Sequence, residues 1–424
     1  MQKLKKKSIP NIYKNLILTF ASLLTFFLLA EVASRILNLD SRDIRDKYLT
    51  SQDRFFFTVP INRKDPYLFW RLKPNARFGK ISVNSKGFRG KEFSEKKKGN
   101  TFRIITLGDS CTMGVGIADD EMYASVLESI LNKNSRFSRN YEVINAGVAG
   151  YSSLQGLRYL KAELIKYKPD VITVQLGFND YLYTIGPTDK DIVESNRVAI
   201  YLDDALSKSS FYRFLKKRLE SLSSPVTKFP PNRRVDILDF KKNIKEIISI
   251  ANKSGATILI LNLPVRTDIP LSVNAIPILR EGKDGIAIEW LRPALIGDKN
   301  YYVQTDFDGP ASVLEKAVEK YPQWSLAHYY LARKYESAGE KVKAEAEFKK
   351  AKETDIDRKV ISEYNTAIRE IAEETKTPMV DLVSLFESRK GKDMFLDERH
   401  TSALAHAMIA EEIYNTLKIS HLIE

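Results

Sequence analysis

The chain contains one cysteine, four histidines and no acidic residue before Glu31. A lone Cys111 excludes an internal disulfide and leaves the compartment open. No Cys/His cluster, HExxH helix or Walker-type loop occurs, so no metal, nucleotide or other cofactor is implied. The surplus of positive charge is also less than it looks. The net charge is +13, but Lys3, Lys5, Lys6, Lys7 and Lys14 supply five of those charges, and the rest are scattered through mixed-sign runs such as Glu95-Lys96-Lys97-Lys98. Such runs are solvated faces, and no nucleic-acid partner is expected. With 43 % hydrophobic and 10 % aromatic residues in 424, the chain can build sizeable cores in two or three units.

Behind the lysines, Leu16–Ala30 is apolar except for Thr19, Ser22 and Thr25, and a second apolar patch ends at Leu37. As one helix, Leu16–Leu37 rises ~33 Å, enough for a hydrocarbon core of ~30 Å. Glu31 and Arg35 then fall near the far interface, where they can snorkel. The expectation is an uncleaved transmembrane signal anchor with its lysines in the cytoplasm and the catalytic domain extracytoplasmic, periplasmic or at the cell surface. The alternatives are a cleaved signal peptide and a buried helix. Cleavage after Ala33 would put Glu31 where a small residue is wanted, and no lipobox cysteine follows.

The organisation expected is a tail and anchor over 1–40, a connector over 41–100, a domain in two pieces, 101–265 and 362–424, and an insertion over 266–361. Pro60, Pro66, Pro74 and several glycines break the connector. Its segment Val83–Gly90 reads as a turn without chemistry. From Arg103 onward, strands at Arg103–Leu107, Glu142–Asn145, Val171–Leu176, Thr257–Leu261 and Met379–Leu382 are interspersed with helical periods at Tyr123–Leu131, Leu154–Tyr167 and Phe240–Asn252. Apolar strands without alternation imply a parallel sheet covered on both faces, with its site at the strands' carboxyl ends. Within the insertion, Leu331, Ala332, Tyr335, Gly339, Ala344, Phe348 and Ala351 fall at the small and apolar positions of a 34-residue tetratricopeptide (TPR) unit. Leu314, Ala317 and Pro322 continue that register upstream, so a TPR-like repeat spans about 308–358 and offers a surface for a protein partner.

Asp109-Ser110, Gly147 and Gly177–Asp180 each follow a strand directly. Ser110 in a strand-to-helix turn can act as a nucleophile or merely cap Met113–Gly116. Among the histidines, His328 reads as a packing residue, His421 lies at a fraying end and His406 reads as a helix-surface residue. His400 is the one with a carboxylate three residues earlier, so Asp397 can orient its imidazole; otherwise Asp397 is a loop cap. Gly147 can offer a backbone N–H and Asn179 a side-chain amide to an oxyanion, or Asn179-Asp180 is only a turn. Cys111 reads as a small filler.

The four blocks Gly108-Asp109-Ser110, Gly147, Gly177–Asp180 and Asp397–His400, in that order, resemble the SGNH hydrolase superfamily, the GDSL-type esterases, over Phe102–Val265 and roughly Glu363–Leu417. One departure is Ala405, where the family more often has glycine. The resemblance implies a flavodoxin-like three-layer α/β/α sandwich with a five-stranded parallel sheet. It also implies Ser110 as nucleophile, Asp397 and His400 as its partners, and Ser110, Gly147 and Asn179 as oxyanion donors. The activity implied is membrane-anchored hydrolysis of an ester, of carbohydrate O-acyl or O-acetyl groups or of lipid. The alternatives are an envelope polysaccharide O-acetyltransferase and a TPR-based assembly or binding protein with a non-hydrolytic domain.

Overall fold

A computed structural model describes residues 11–37, 60–65, 67–135, 139–184, 188–194, 206, 209–223, 232–271, 310–388 and 392–423. The first part of the insertion, 272–309, and most of the connector before residue 60 lie outside them. The chain divides into two units, one of residues 1–50 with 191–230, the other of 51–190 with 231–424.

In the larger unit the aliphatic runs form β1 (Thr101–Gly108), β2 (Asn140–Gly147), β3 (Val171–Gln175), β4 (Thr257–Leu261) and β5 (Met379–Val380). All neighbours are parallel, in the order β2-β1-β3-β4-β5. Successive side chains point to opposite faces. Ile105, Leu107, Ile172, Ile258 and Ile260 therefore join one core while Ile104, Val171, Leu259 and Leu261 join another.

Besides short helices at Asp189–Glu194 and Leu382–Glu387, the helices described are, in chain order, α1 (Asn11–Ile36), α2 (Ser110–Met113), α3 (Tyr123–Lys133), α4 (Ser153–Ala162), α5 (Ser210–Ser223), α6 (Ile237–Lys253), α7 (Ala311–Lys320), α8 (Ser325–Ser337), α9 (Lys341–Glu353), α10 (Ile356–Thr375) and α11 (Ala403–Ile419). The first core takes its helical half from α4, α6 and α10, through Leu160, Ile247 and Ile371. The second takes it from α3 and α11, through Leu127 and Ile413. This is the three-layer sandwich expected, and the strand limits differ from expectation by at most three residues. The helical period over Leu154–Tyr167 breaks at Glu163 and resumes as one 3₁₀ turn at Leu164–Tyr167.

Two boundaries need correction. Residues 60–100 are no loose connector: Ile61, Trp70, Leu72, Val83, Phe88 and Phe93 are buried in the first core. The Trp70 indole N–H donates to Ala149 O (3.0 Å), and the Tyr151 hydroxyl donates to Trp70 O (2.7 Å). Charged residues between the apolar ones hide this pattern in the average composition. The insertion also ends earlier than residue 361. Arg358 donates to Arg266 O (2.9 Å) and Ile269 O (2.6 Å), Asp355 accepts from Leu271 N (3.3 Å), and α10 buries Val360, Ile361 and Tyr364 in the main core. Between those pinched ends α7 and α8 share a small core of Leu314, Ala317, Trp324, Ala327, Tyr330 and Leu331, and α9 buries Ala344 and Ala351.

Candidate active site

β1 ends at Gly108, and the Asp109 side chain caps the next turn by accepting from Cys111 N (2.9 Å). That leaves Ser110 first in α2, half-buried, with its backbone N–H given to no group among the described residues. The His400 imidazole reaches it from the other end of the chain. Nε2 lies 2.8 Å from Ser110 Oγ, and Nδ1 lies 2.5 Å from Asp397 Oδ2. Asp397 does both things considered for it. Its Oδ1 accepts from the backbone N–H groups of Arg399 (2.9 Å) and His400 (2.7 Å), while Oδ2 holds the ring. Capping the loop and orienting the imidazole are thus one structure. The turn is closed by Leu396 N donating to His400 O (2.7 Å), and α11 begins three residues later, at Ala403, behind the Ser402 cap.

The electrostatics follow. Burial opposes charge on His400, but the adjacent Asp397 carboxylate more than offsets it and raises the imidazole above its ordinary 6.5. Burial likewise acts against Asp397, and the imidazole and two backbone donors hold it below the usual carboxylate range. Burial pushes the Cys111 thiol well up, and its Sγ rests 3.6 Å from Arg399 O, as a filler would. Among the described residues no group of three or more His, Cys, Asp or Glu is arranged to hold a metal ion.

The expected oxyanion donors fare differently. Asn179 is present at the site, with Nδ2 donating to Asp109 Oδ2 (3.1 Å) and Tyr151 O (3.2 Å). Asp109 is wholly buried and its carboxyl is pushed up to about 6 by that burial. Gly147 is a correction. Its N–H is committed to Asn145 Oδ1 (2.9 Å), and an added Cβ would run into the backbone of Thr112 and Met113. Gly147 lets α2 press against β2; it offers no free donor. In the loop after β2 the amides of Ala149 and Gly150 (φ 81) have no partner among the described residues, and Gly150 directly precedes Tyr151, whose carbonyl holds Asn179. Its own carbonyl is fixed by Arg234 Nη1 (2.8 Å), itself paired with Asp189 (2.9 Å). Glycine at a left-handed φ in a strand-end loop was the available signal.

Two histidines elsewhere are structural. His328 is buried, 2.5 Å from Glu347 and 2.9 Å from Pro322 O. His406 is not on a helix surface: it is 1 % exposed, stacks on Tyr123 and accepts from Tyr123 N (3.0 Å). Sequence reading also missed Arg89, in the segment taken for a plain turn. Its buried guanidinium donates to Met113 O, Gly114 O and Ile117 O and pairs with Asp119, fixing the loop behind Ser110.

Residues 106–290 match the family model described as GDSL-like lipase/acylhydrolase. That part of the chain is similar to the GDSL-type hydrolases. Esterase TesA of Pseudomonas aeruginosa is 30 % identical over 84 residues, which make up 20 % of this chain; the matched stretch spans 40 % of that relative's length. Among solved structures, that of TesA is 15 % identical, covering 74 % of this chain and 98 % of its own, with a TM-score of 0.37. A catalytic mutant of an acetylxylan esterase from Geobacillus stearothermophilus is 11 % identical, covering 74 % of this chain and 94 % of its own, also at TM-score 0.37. The family match stops well before Asp397 and His400, which only the fold returns to Ser110.

Proposed function

We propose that the chain is a membrane-anchored serine esterase working outside the cytoplasm on ester-linked acyl groups of envelope carbohydrate or lipid. The observation that carries the chemistry is the continuous hydrogen-bonded line Asp397–His400–Ser110, closed at both contacts. In this reading Ser110 Oγ adds to the ester carbonyl while its proton passes to His400 Nε2. The new imidazolium is stabilised by Asp397. The oxyanion is met by the N–H groups of Ser110 and Gly150 and by Asn179, each such donor contributing about 3 kcal/mol in the transition state. Collapse breaks the ester C–O bond, and the alcohol leaves with the proton from Nε2. Water then repeats the sequence on the acyl-serine and releases the acid.

Asn179 has both amide hydrogens engaged in the free enzyme, so it serves the oxyanion by sharing or exchanging the hydrogen now given to Tyr151 O or Asp109. Anchoring is supported by α1, whose Ile12–Ile36 stretch has a mean hydropathy of 2.2 in its most apolar window and no part of that window buried. The lysines before it support an extracytoplasmic catalytic unit. The TPR-like hairpin is proposed to bind a partner or the remote part of a substrate. The Arg266 N–H donates to Glu398 O (3.0 Å), so the insertion's base adjoins the loop bearing Asp397 and His400.

Incubation with a fluorophosphonate probe and mapping of the adduct tests the chemistry. Label on Ser110, lost in Ser110→Ala, is the expected result. An unlabelled but folded protein would sink the esterase reading and leave the domain a binding module.

A further inference from the structure

The smaller unit contains a contact that catalysis does not use. Glu31, near the end of α1, caps α5: its carboxylate accepts from Ser209 Oγ (2.7 Å), Ser210 N (3.0 Å) and Phe211 N (3.0 Å), and from Arg35 Nε (2.7 Å). One turn below it on α1, Phe26 and Phe27 each meet the Phe211 ring edge-on at 6.2 Å. From Ile12 to Glu31 a helix rises ~29 Å, about the thickness of the hydrocarbon core. A carboxylate at that depth is costly unless it is supplied with donors, and here α5 supplies three of the four.

The sequence of α5 suits the same place. Phe211, Phe214, Leu215 and Leu219 recur at helical spacing along one side, and Leu215 and Leu219 are exposed at 41 % and 56 %. By helical spacing the positions Arg213, Lys216 and Lys217 fall opposite that side and Arg218 falls within it, four basic residues against one acid, Glu220. The apolar side is continuous with α1 through Phe211, while the basic side suits phosphate headgroups. The excursion that carries α5 leaves the larger unit after Lys190 and returns at Pro231, so chain continues from both ends of α5 into that unit, while its contact with α1 is non-covalent.

We propose that α5 is an interfacial helix, docked by Glu31 onto α1, whose apolar side enters the acyl region and whose basic side binds anionic headgroups of the bilayer that α1 spans. It rests on reading α1 as a span. Full-length protein carrying an environment-sensitive fluorophore on Leu215→Cys, or on Leu24→Cys as the reference for α1, is reconstituted into vesicles with and without phosphatidylglycerol. The parent chain, with only buried Cys111, gives the labelling blank. The expected result is quenching of the Leu24 label by deep spin-labelled lipid and of the Leu215 label by shallow spin-labelled lipid. Loss of iodide quenching at Leu215 should be stronger with phosphatidylglycerol and reversed by salt. In Glu31→Ala the Leu215 label should regain iodide quenching while the Leu24 label stays deep.

A Leu24 label open to iodide would remove the span and the proposal with it. A deep Leu24 label beside a Leu215 label quenched by iodide but by no lipid would overturn the interfacial helix alone. An unchanged Leu215 label in Glu31→Ala would overturn the docking role of Glu31.

Discussion

His400 and His406 sit at two ends of one short segment, and their surroundings drive their imidazoles in opposite directions. His400 lies in a loop against the Asp397 carboxylate, which raises its pKa, and its free nitrogen faces Ser110. His406 lies in α11 against Tyr123; burial, with Arg89 acting the same way, pushes it down to about 3. An imidazole becomes a base for catalysis where a carboxylate answers its charge and a proton source faces it. Where a backbone N–H and an aromatic ring enclose it, the same side chain is a neutral packing unit.

The largest effect that sharpens this contrast is on turnover. His400→Ala should lower kcat on a p-nitrophenyl ester by roughly 10^4–10^6-fold with little change in Tm, as should Ser110→Ala. Asp397→Asn should cost less, roughly 10^3–10^4-fold, because the base survives in a poorer tautomer. Retained turnover in either His400→Ala or Ser110→Ala would break the comparison at its catalytic end. His406→Ala should do the reverse. It removes the acceptor for Tyr123 N and opens a cavity, at a cost of about 2–4 kcal/mol in unfolding free energy, while kcat per folded molecule stays near that of the parent.

The pH dependences should separate as well. With neutral His400 as the proposed base, kcat/KM should rise with pH through an inflection above 6.5, and Asp397→Asn should move that inflection down. For His406 the folded value is depressed, so the unfolded chain binds a proton that the folded chain refuses. Its stability contribution is full above 6.5 and is lost as pH falls towards 3. Asp109 and Asp180 act with the opposite sign. Burial raises them to about 6 and about 7, so their contribution is present below 3.8 and is lost as pH rises through those values. Melting curves of His406→Phe against the parent isolate the histidine: the gap in Tm should change between pH 6.5 and 3, and a constant gap would deny that His406 is neutral in the fold.

The smallest expected effect concerns the insertion. Replacing 272–354 by a Gly/Ser linker, which keeps Arg266, Asp355 and Arg358, should leave probe labelling of Ser110 largely intact. Turnover of a large physiological ester should fall more than turnover of a small activated one, because remote contacts supply binding energy used at the reacting centre. Equal losses would make α7–α9 structural support only.

Much of this was legible in the order of residues. Apolar runs without alternation gave the parallel sheet, and Asp397 three residues before His400 was near enough in sequence for its partnership to be read. What sequence concealed were contacts made across the fold. Gly147 and Gly150 look alike in a strand-end loop, yet close packing against Met113 and the bond to Asn145 commit the first, while the second's amide, in a left-handed turn, has no partner among the described residues. Arg89 and Trp70 read as parts of a charged connector because local averages cannot register a partner far along the chain. The amphipathic period of α11 likewise did not tell which side His406 faced.

The sequence by itself therefore determined the elements, their parallel pairing, the strand-to-helix turn at Ser110 and the local Asp397–His400 pair, since each depends on periodicity or on residues within one turn. Only the tertiary structure decided which glycine leaves its amide without a partner, which histidine is enclosed, and that Ser110 and His400, 290 positions apart, meet at 2.8 Å. Those outcomes depend on burial and on close packing between distant segments, and neither is a property of any stretch of chain taken alone.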